Sequence, residues 1–293
     1  MKFIHLSDLH IGKRVNGFSM LEDQKYIFTK IAALIASEKP DAVLIAGDVY
    51  DMSVPAAEAV QVLDEFLYRL TQLDTKVLII SGNHDSPERL AFGGRLLSHS
   101  GIHLSPVYTG VAEKVSFQDS YGQADVFLLP FIKPAMVRRL FDGQDIDTYT
   151  DAVAAAIGQM DINDAHRNVL MTHQFITGSA RSESEEIAVG GADNVDAKVF
   201  APFDYIALGH LHSPQMAAGN TARYCGSPLK YSFSECGQQK SVTVVEMKEK
   251  GSLQVRALPL TPKRDMREIR GSFAEVMAMA AGQPSEDYLH IIL

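Results

Sequence analysis

The feature that most constrains this chain is a repeated one: a short apolar run that ends abruptly in a polar cluster. KFIHLS, AVLIAG and KVLIIS are β-type runs, and each is followed at once by a polar loop. Between the first two, Ile27, Ile31, Leu34 and Ile35 recur at helical spacing; between the second and third, Val60, Leu63, Leu67 and Leu70 do the same and are expected to face the core. Strands that are apolar throughout need cover on both faces, so this half of the chain predicts a β-α-β-α-β unit with strands buried between helices.

Further strands are predicted at DVFLLPF, NVLMTH and YIALGH. Nearer the end, SVTVVEM and LQVRALPL, joined through KEKGS, predict a hairpin turning around Gly251, and with it a second, more antiparallel sheet. The fold class expected is therefore α/β, a sandwich of two sheets with helices outside. The Ser-, Glu- and Gly-rich stretch Thr177 to Asp196 is expected to be a long surface loop carrying at most one short element.

A chain of 293 residues is long enough for one large domain with an appendage. No window approaches the roughly eighteen uninterrupted apolar residues of a membrane span, and MKFIHLSDLH reaches His5 and Asp8 too soon for a signal-peptide core, so no membrane association is expected and the cytoplasm is the default compartment. Cys225 and Cys236 form neither a disulfide framework nor a zinc-type pair, in keeping with a reducing environment. The formal net charge of −9 argues against a generic polyanion binder, although bound cations can supply local positive charge that the sum conceals.

The polar residues that terminate the apolar runs suggest the chemistry. The first strand ends in SDLH, giving Asp8 and His10; the second in GDVYD, giving Asp48 and Asp51; the third in GNHD, giving Asn83, His84 and Asp85. VLMTH delivers His173, and IALGHLH delivers His210 and His212. Ligands of α/β sheets bind at the carboxyl ends of strands, so these dispersed side chains are expected to converge on one crevice. Mixed oxygen and nitrogen donors without thiolate suit manganese, iron or zinc at paired sites. Two cations about 3.5–4 Å apart would clamp the attacking and departing oxygens of a phosphate ester, with hydroxide as nucleophile. The glycines before Asp48, Asn83 and His210 are expected to let backbone come close to the cations.

DLH, GDVYD, GNHD, TH and GHLH, in this order, resemble the five phosphoesterase motifs of the calcineurin-like metallophosphoesterase superfamily. The resemblance implies a two-sheet β-sandwich flanked by helices and two divalent metal ions. Asp8, His10, Asp48 and His212 would hold one ion, while Asp48 would bridge to a second held by Asn83, His173 and His210. His84 would then be the catalytic residue, a proton donor to the leaving oxygen or a stabiliser of transition-state charge, with Asp85 orienting its imidazole. FIHLSDLHIGK, GNHDSPERL, FDYIALGHLHSPQ and YCGSPLKYSFSE look like the DNA-nuclease branch of that superfamily over nearly the whole chain. That likeness implies a manganese-dependent exonuclease on double-stranded ends and endonuclease on single strands and hairpins, acting in DNA repair and recombination. It also implies ATP control by a partner ATPase, and a homodimer formed through the helix from Pro55 or the segment ERLAFGGRLLSHSG.

Members of this branch continue into a capping domain and a helical segment that binds the ATPase. The resemblance therefore places the nuclease domain at 1–262 and the start of a cap at 263–293, with the terminal run EDYLHIIL reading as a strand cut short and the ATPase-binding segment expected to be missing. Lys13, Arg14 and Lys230, and also Lys133, Arg138, Arg139 and Arg181, are basic residues near the motifs in sequence and candidates for DNA phosphates. His5, His99, His103, His166 and His290 are expected to be structural or on the surface, and Cys225 a small buried residue. Two other readings fit the same residues: a metallophosphatase or phosphodiesterase acting on a small or protein substrate, and a non-enzymatic scaffold that presents DNA ends.

Overall fold

The computed structural model describes residues 1–293 apart from 181, 183, 184, 186–192, 218, 283 and 284. Two six-stranded sheets dominate it. The first runs, edge to edge, through Leu253–Pro259, Ser241–Met247, Lys2–Leu6, Ala42–Ala46, Lys76–Ile80 and Ile102–Leu104. The second runs through Gln215–Ala217, Ala222–Tyr224, Tyr205–Gly209, Arg167–His173, Gly122–Leu129 and Glu113–Asp119.

Alternation along the strands sorts their side chains into three apolar layers. Phe3, Leu44, Leu78 and Ile80 meet Val126, Leu128, Val169 and Met171 between the sheets. The residues between them in sequence, Ile4, Val43, Ile45, Val77 and Ile79, face the opposite way and pack under the helices Leu21–Glu38 and Ala57–Thr71, whose Phe28 and Phe66 stack at 4.9 Å. Phe127, Leu129, Leu170 and Leu208 likewise pack under the helix Tyr149–Gly158, which opens with a reciprocal Thr148–Asp151 capping box. This is the expected sandwich with helices outside.

Two expectations need correction. The hairpin around Gly251 does not belong to a separate antiparallel sheet: Ser241–Met247 pairs antiparallel with Lys2–Leu6 and so extends the first sheet. Val244 lies under the helices and Val245 between the sheets, so this strand needs apolar cover on both faces, which a place beside Lys2–Leu6 supplies. The second sheet is parallel from Gly122–Leu129 to Ala222–Tyr224 and antiparallel only at its edges. In the second helix, the buried stripe is Ala59, Val62, Leu63, Phe66, Leu67 and Leu70, whereas Val60 lies on the flank and is exposed.

Within the predicted surface loop, Asn194–Val195 pairs parallel with Phe175–Ile176, and most of the remainder lies outside the described residues. Beyond the first sheet, Met266–Arg270 and Tyr288–Ile292 form a separate parallel pair with the helix Phe273–Gly282 between them in sequence. Buried Asp23 fastens this segment to the first helix, accepting hydrogen bonds from the Arg264 guanidinium and, at 3.0 Å, from the Tyr288 hydroxyl. Among the described residues, no helix is long and apolar enough to cross a membrane.

Candidate metal centre

The carboxyl ends of five strands, three from the first sheet and two from the second, deliver the predicted residues to one place. His10 Nε2 and His212 Nε2 are 3.0 Å apart, and Asp48 Oδ2 lies 3.6 Å from His10 Nε2 and 3.3 Å from His173 Nε2. Asn83 Oδ1 sits 3.1 Å from His173 Nε2 and 3.0 Å from His210 Nδ1. Asp8, His10 and His212 form one tight trio of donors, Asp8, Asp48 and His173 another, and His10, Asp48 and His84 a third. All seven predicted ligands are therefore together, and Asp48 touches both sides of the cluster.

The backbone is bent to achieve this. Among the described residues, six other than glycine have positive φ, and four of them are Asp8, His10, Asp48 and His210. Such strain persists only where surrounding structure enforces it and is concentrated at functional sites. The glycines of the motifs allow close approach of donor side chains and backbone: a Cβ on Gly82 would fall 2.1 Å from Asp48 Oδ1, and one on Gly209 would fall 1.9 Å from the Ala46 carbonyl oxygen and 2.5 Å from His173 Nδ1.

Three of the rings have an oxygen within 3.5 Å of the nitrogen on their far side. His173 Nδ1 lies 2.8 Å from the Ala46 carbonyl, and His212 Nδ1 lies 3.5 Å from Glu235 Oε1. Asp51, a candidate ligand on sequence grounds, instead stands 3.4 Å from His10 Nδ1, on the side of the ring away from His212. Glu235 drew no attention in the sequence, because its position depends on a one-turn 3₁₀ helix, Phe233–Glu235, that folds it inward.

His84 stands at the rim, with its Nε2 4.0 Å from Asp48 Oδ2 and its side chain 16% exposed. Its Nδ1 is 3.0 Å from the Asp51 carbonyl, which as an acceptor selects the tautomer with the proton on Nδ1. The expectation that Asp85 orients this ring is corrected. The Asp85 carboxylate accepts from the backbone N–H of Val49, Tyr50 and Gly82, at 3.1, 2.9 and 2.9 Å, and so ties together the loops that carry Asp48 and Asn83.

Burial and neighbouring charges pull against each other in the cluster. Burial, with Asp48 nearby, pushes Asp8 up to about 6. Burial alone would raise Asp48 as well, but the imidazoles of His173, His10 and His84 hold it well below the usual carboxylate range. His173 in turn is raised to about 9, because Asp48 and Asp8 outweigh its burial. Burial lowers His10, and raises Asp85 to about 6 together with Asp48.

These residues fit divalent cations. With metal–ligand bonds of about 2.0–2.2 Å, neighbouring donors in a coordination shell lie about 3.0–3.5 Å apart, which is the spacing found here. The set is oxygen and imidazole only, and suits manganese, iron or zinc.

The basic residues divide differently. Lys230 is corrected: its ammonium is 11% exposed and bonds to the Cys236 carbonyl and Asp265, both at 2.8 Å, so it is a strut inside the protein. Lys13 pairs with Asp51 at 2.8 Å, and Arg138 is engaged with Ile146 and Asp147 of its own loop. Arg14 is exposed on the small Arg14–Val15/Phe18–Ser19 hairpin; Lys133 and Arg139 are exposed too, and the Lys133 ammonium lies over Phe131, whose ring meets His173 edge-on. Arg181 lies outside the described residues.

The calcineurin-like phosphoesterase family matches residues 1–214. The chain is 34% identical to the SbcD subunit of the nuclease SbcCD from Staphylococcus epidermidis over 281 residues, covering 94% of this chain and 74% of that protein. It is also 34% identical to the same nuclease component of Staphylococcus saprophyticus, over 100% of this chain and 78% of the relative. Among solved structures, GAP50 of the Plasmodium inner membrane complex shares the fold, with a TM-score of 0.55 at 13% identity, covering 100% of this chain and 97% of that one. The dense cluster of oxygen and imidazole donors at the strand ends is what a metal-dependent phosphoesterase requires, and the chain belongs to the calcineurin-like phosphoesterases and, within them, to the SbcD family of nuclease subunits.

Proposed function

We propose that this chain is a manganese-dependent DNA nuclease that hydrolyses phosphodiester bonds, as an exonuclease on double-stranded ends and an endonuclease on single strands and hairpins. The observation that carries the reading is the Asp48 carboxylate standing between His10 at 3.6 Å and His173 at 3.3 Å, with His84 Nε2 4.0 Å from it. Asp8, His10, Asp48 and His212 would hold one cation, and Asp48, Asn83, His173 and His210 the other. When bound, the two cations supply Lewis acidity toward the phosphate and lower the pKa of the attacking water.

The protein's own residues do the rest. His84 keeps its Nδ1 proton on the Asp51 carbonyl and, once protonated at Nε2, delivers that proton to the leaving oxygen. Asp85 fixes the loops on which Asp48, Asn83 and His84 sit. Exposed Arg14 and Lys133 contact DNA phosphates, and the cations would supply local positive charge that the net charge of −9 conceals.

In this reading the segment 1–262 is the nuclease domain and 263–293 belongs to a capping domain. The names of the staphylococcal relatives support a partnership with an SbcC-type subunit, and our reading extends it to ATP control by that subunit, a role in DNA repair and recombination, and a place in the cytoplasm. The exposed Tyr68, Phe92 and Leu96 form the contact with a second copy of the chain, giving a homodimer.

The test is cleavage of a single-stranded DNA circle with manganese, with magnesium and with EDTA, alongside His84→Ala. Manganese-dependent cutting that the substitution abolishes is the expected result. Absence of cutting together with turnover of a small phosphodiester would favour the small-substrate reading.

A further inference from the structure

The string GSPLKYSFSE sets this chain apart from generic phosphoesterases, yet none of its residues belongs to the metal donors. Its path through the fold explains its presence. Ser232 is extended, and its hydroxyl accepts from the Ser234 N–H, so that the chain turns through Phe233–Glu235 and buries Glu235 completely. Glu235 Oε1 lies 3.5 Å from His212 Nδ1, while Oε2 bonds the Lys240 ammonium at 2.6 Å. Lys240, 4% exposed, also donates to the His212 carbonyl at 2.8 Å, to Ser227 Oγ at 3.0 Å and to Gln238 Oε1 at 2.8 Å. The ion pair thus grips His212 twice, by the ring and by the backbone.

An imidazole whose Nδ1–H is directed at a carboxylate has its lone pair on Nε2, the atom that faces His10. We infer that Glu235, anchored by Lys240, is the positioning residue of the Asp8–His10–His212 side of the centre, fixing the tautomer and the orientation of His212. This rests on the dimetal reading of the site. A buried ion pair is weak evidence of a stabilising role, because desolvation offsets its attraction, so its placement behind a ligand calls for a functional account.

The experiment titrates the metal-stripped full chain with manganese by calorimetry and follows the bound ions by low-temperature electron paramagnetic resonance. Wild type is compared with Glu235→Gln/Lys240→Met, which removes both charges together, and with Glu235→Asp, which keeps a charge for Lys240 but shortens the reach to His212. Melting in EDTA checks that each variant is folded. Wild type is expected to take up two ions with an exchange-coupled spectrum. Both variants should bind one of the two ions about 10–100-fold more weakly, with a single-ion six-line spectrum at equimolar manganese. Two unchanged binding steps in either folded variant would overturn the assignment. A wild type that binds no manganese would bring down the dimetal reading, and this inference with it.

Discussion

The Nε2 atoms of His10 and His212 lie 3.0 Å apart, although 202 residues separate them in sequence. Each ring has an acid near its other nitrogen, Asp51 at 3.4 Å and Glu235 at 3.5 Å. Without a cation the two nitrogens can stay this close only by sharing a proton, whereas a cation between them would take both lone pairs. A ligand that binds only the folded chain stabilises it, and manganese at a hundred times its Kd would add about 2.7 kcal/mol. Scanning calorimetry of EDTA-stripped protein should show the melting temperature rising by several degrees with manganese. A melting temperature indifferent to manganese would contradict the assignment of these rings.

His84 and Asp85 are adjacent in sequence, yet their substitutions should have opposite profiles. His84→Ala removes a rim side chain, so stability should change by less than about 1 kcal/mol and both manganese ions should still bind, while the cleavage rate falls by about 10²–10⁴-fold. Asp85→Ala strips the acceptor from three backbone N–H groups of two loops, and should cost about 3 kcal/mol or more and weaken manganese binding. Urea unfolding and manganese calorimetry on the two variants side by side would separate the roles. Matching losses in both measurements would remove the distinction.

The strand ends were legible in the sequence because every one of them joins a continuous apolar run to residues that have no business in a core. The convergence of Asp8, His10, Asp48, Asn83, His173, His210 and His212 on one place could be read for that reason, and the sandwich followed from the spacing of the runs. Partners chosen by tertiary contact were not legible. Nothing local to Asp85 says that it serves backbone N–H groups on another loop, or that Lys230 finds Asp265 35 residues later. The same holds for the hairpin around Gly251, whose sheet is decided by which strand edge is free to receive it. Val60 was misplaced for a smaller reason: one step along a helix turns a side chain by about 100°, enough to carry it from the core to the flank.

Phe92 and Leu96 are 88% and 78% exposed, and Tyr68 is 66% exposed. If these side chains form one patch, they would be the contact with a second copy that we propose. Light scattering should give twice the mass of one chain for the wild type and a single-chain mass for Phe92→Glu/Leu96→Glu, with the manganese stoichiometry unchanged because the metal donors lie elsewhere. A wild type that stays at single-chain mass across a wide concentration range would exclude the dimer.

Away from the metal centre, Arg167 links the two sheets. Its guanidinium, 1% exposed, meets Asp119 at 2.6 and 3.0 Å and also donates to the carbonyls of Gly122, Met247 and Lys248. The hydrogen bonds from Arg167, opposed by partial burial, hold the Asp119 carboxyl well below its usual range. A carboxylate whose pKa is depressed on folding contributes stability that is fully present above its unfolded pKa of about 4 and is lost as the pH falls further toward the folded value. Asp119→Asn should therefore cost about 2–3 kcal/mol at pH 7, below the usual cost of breaking a fully buried pair because Asp119 is 21% exposed. The gap between wild type and variant should narrow once the pH drops below about 4. Urea melts of both proteins at pH 7, 5 and 3.5 would track it. A gap that does not change with pH would mean that Asp119 acts by shape and hydrogen bonding alone, and that its charge contributes nothing to joining the sheets.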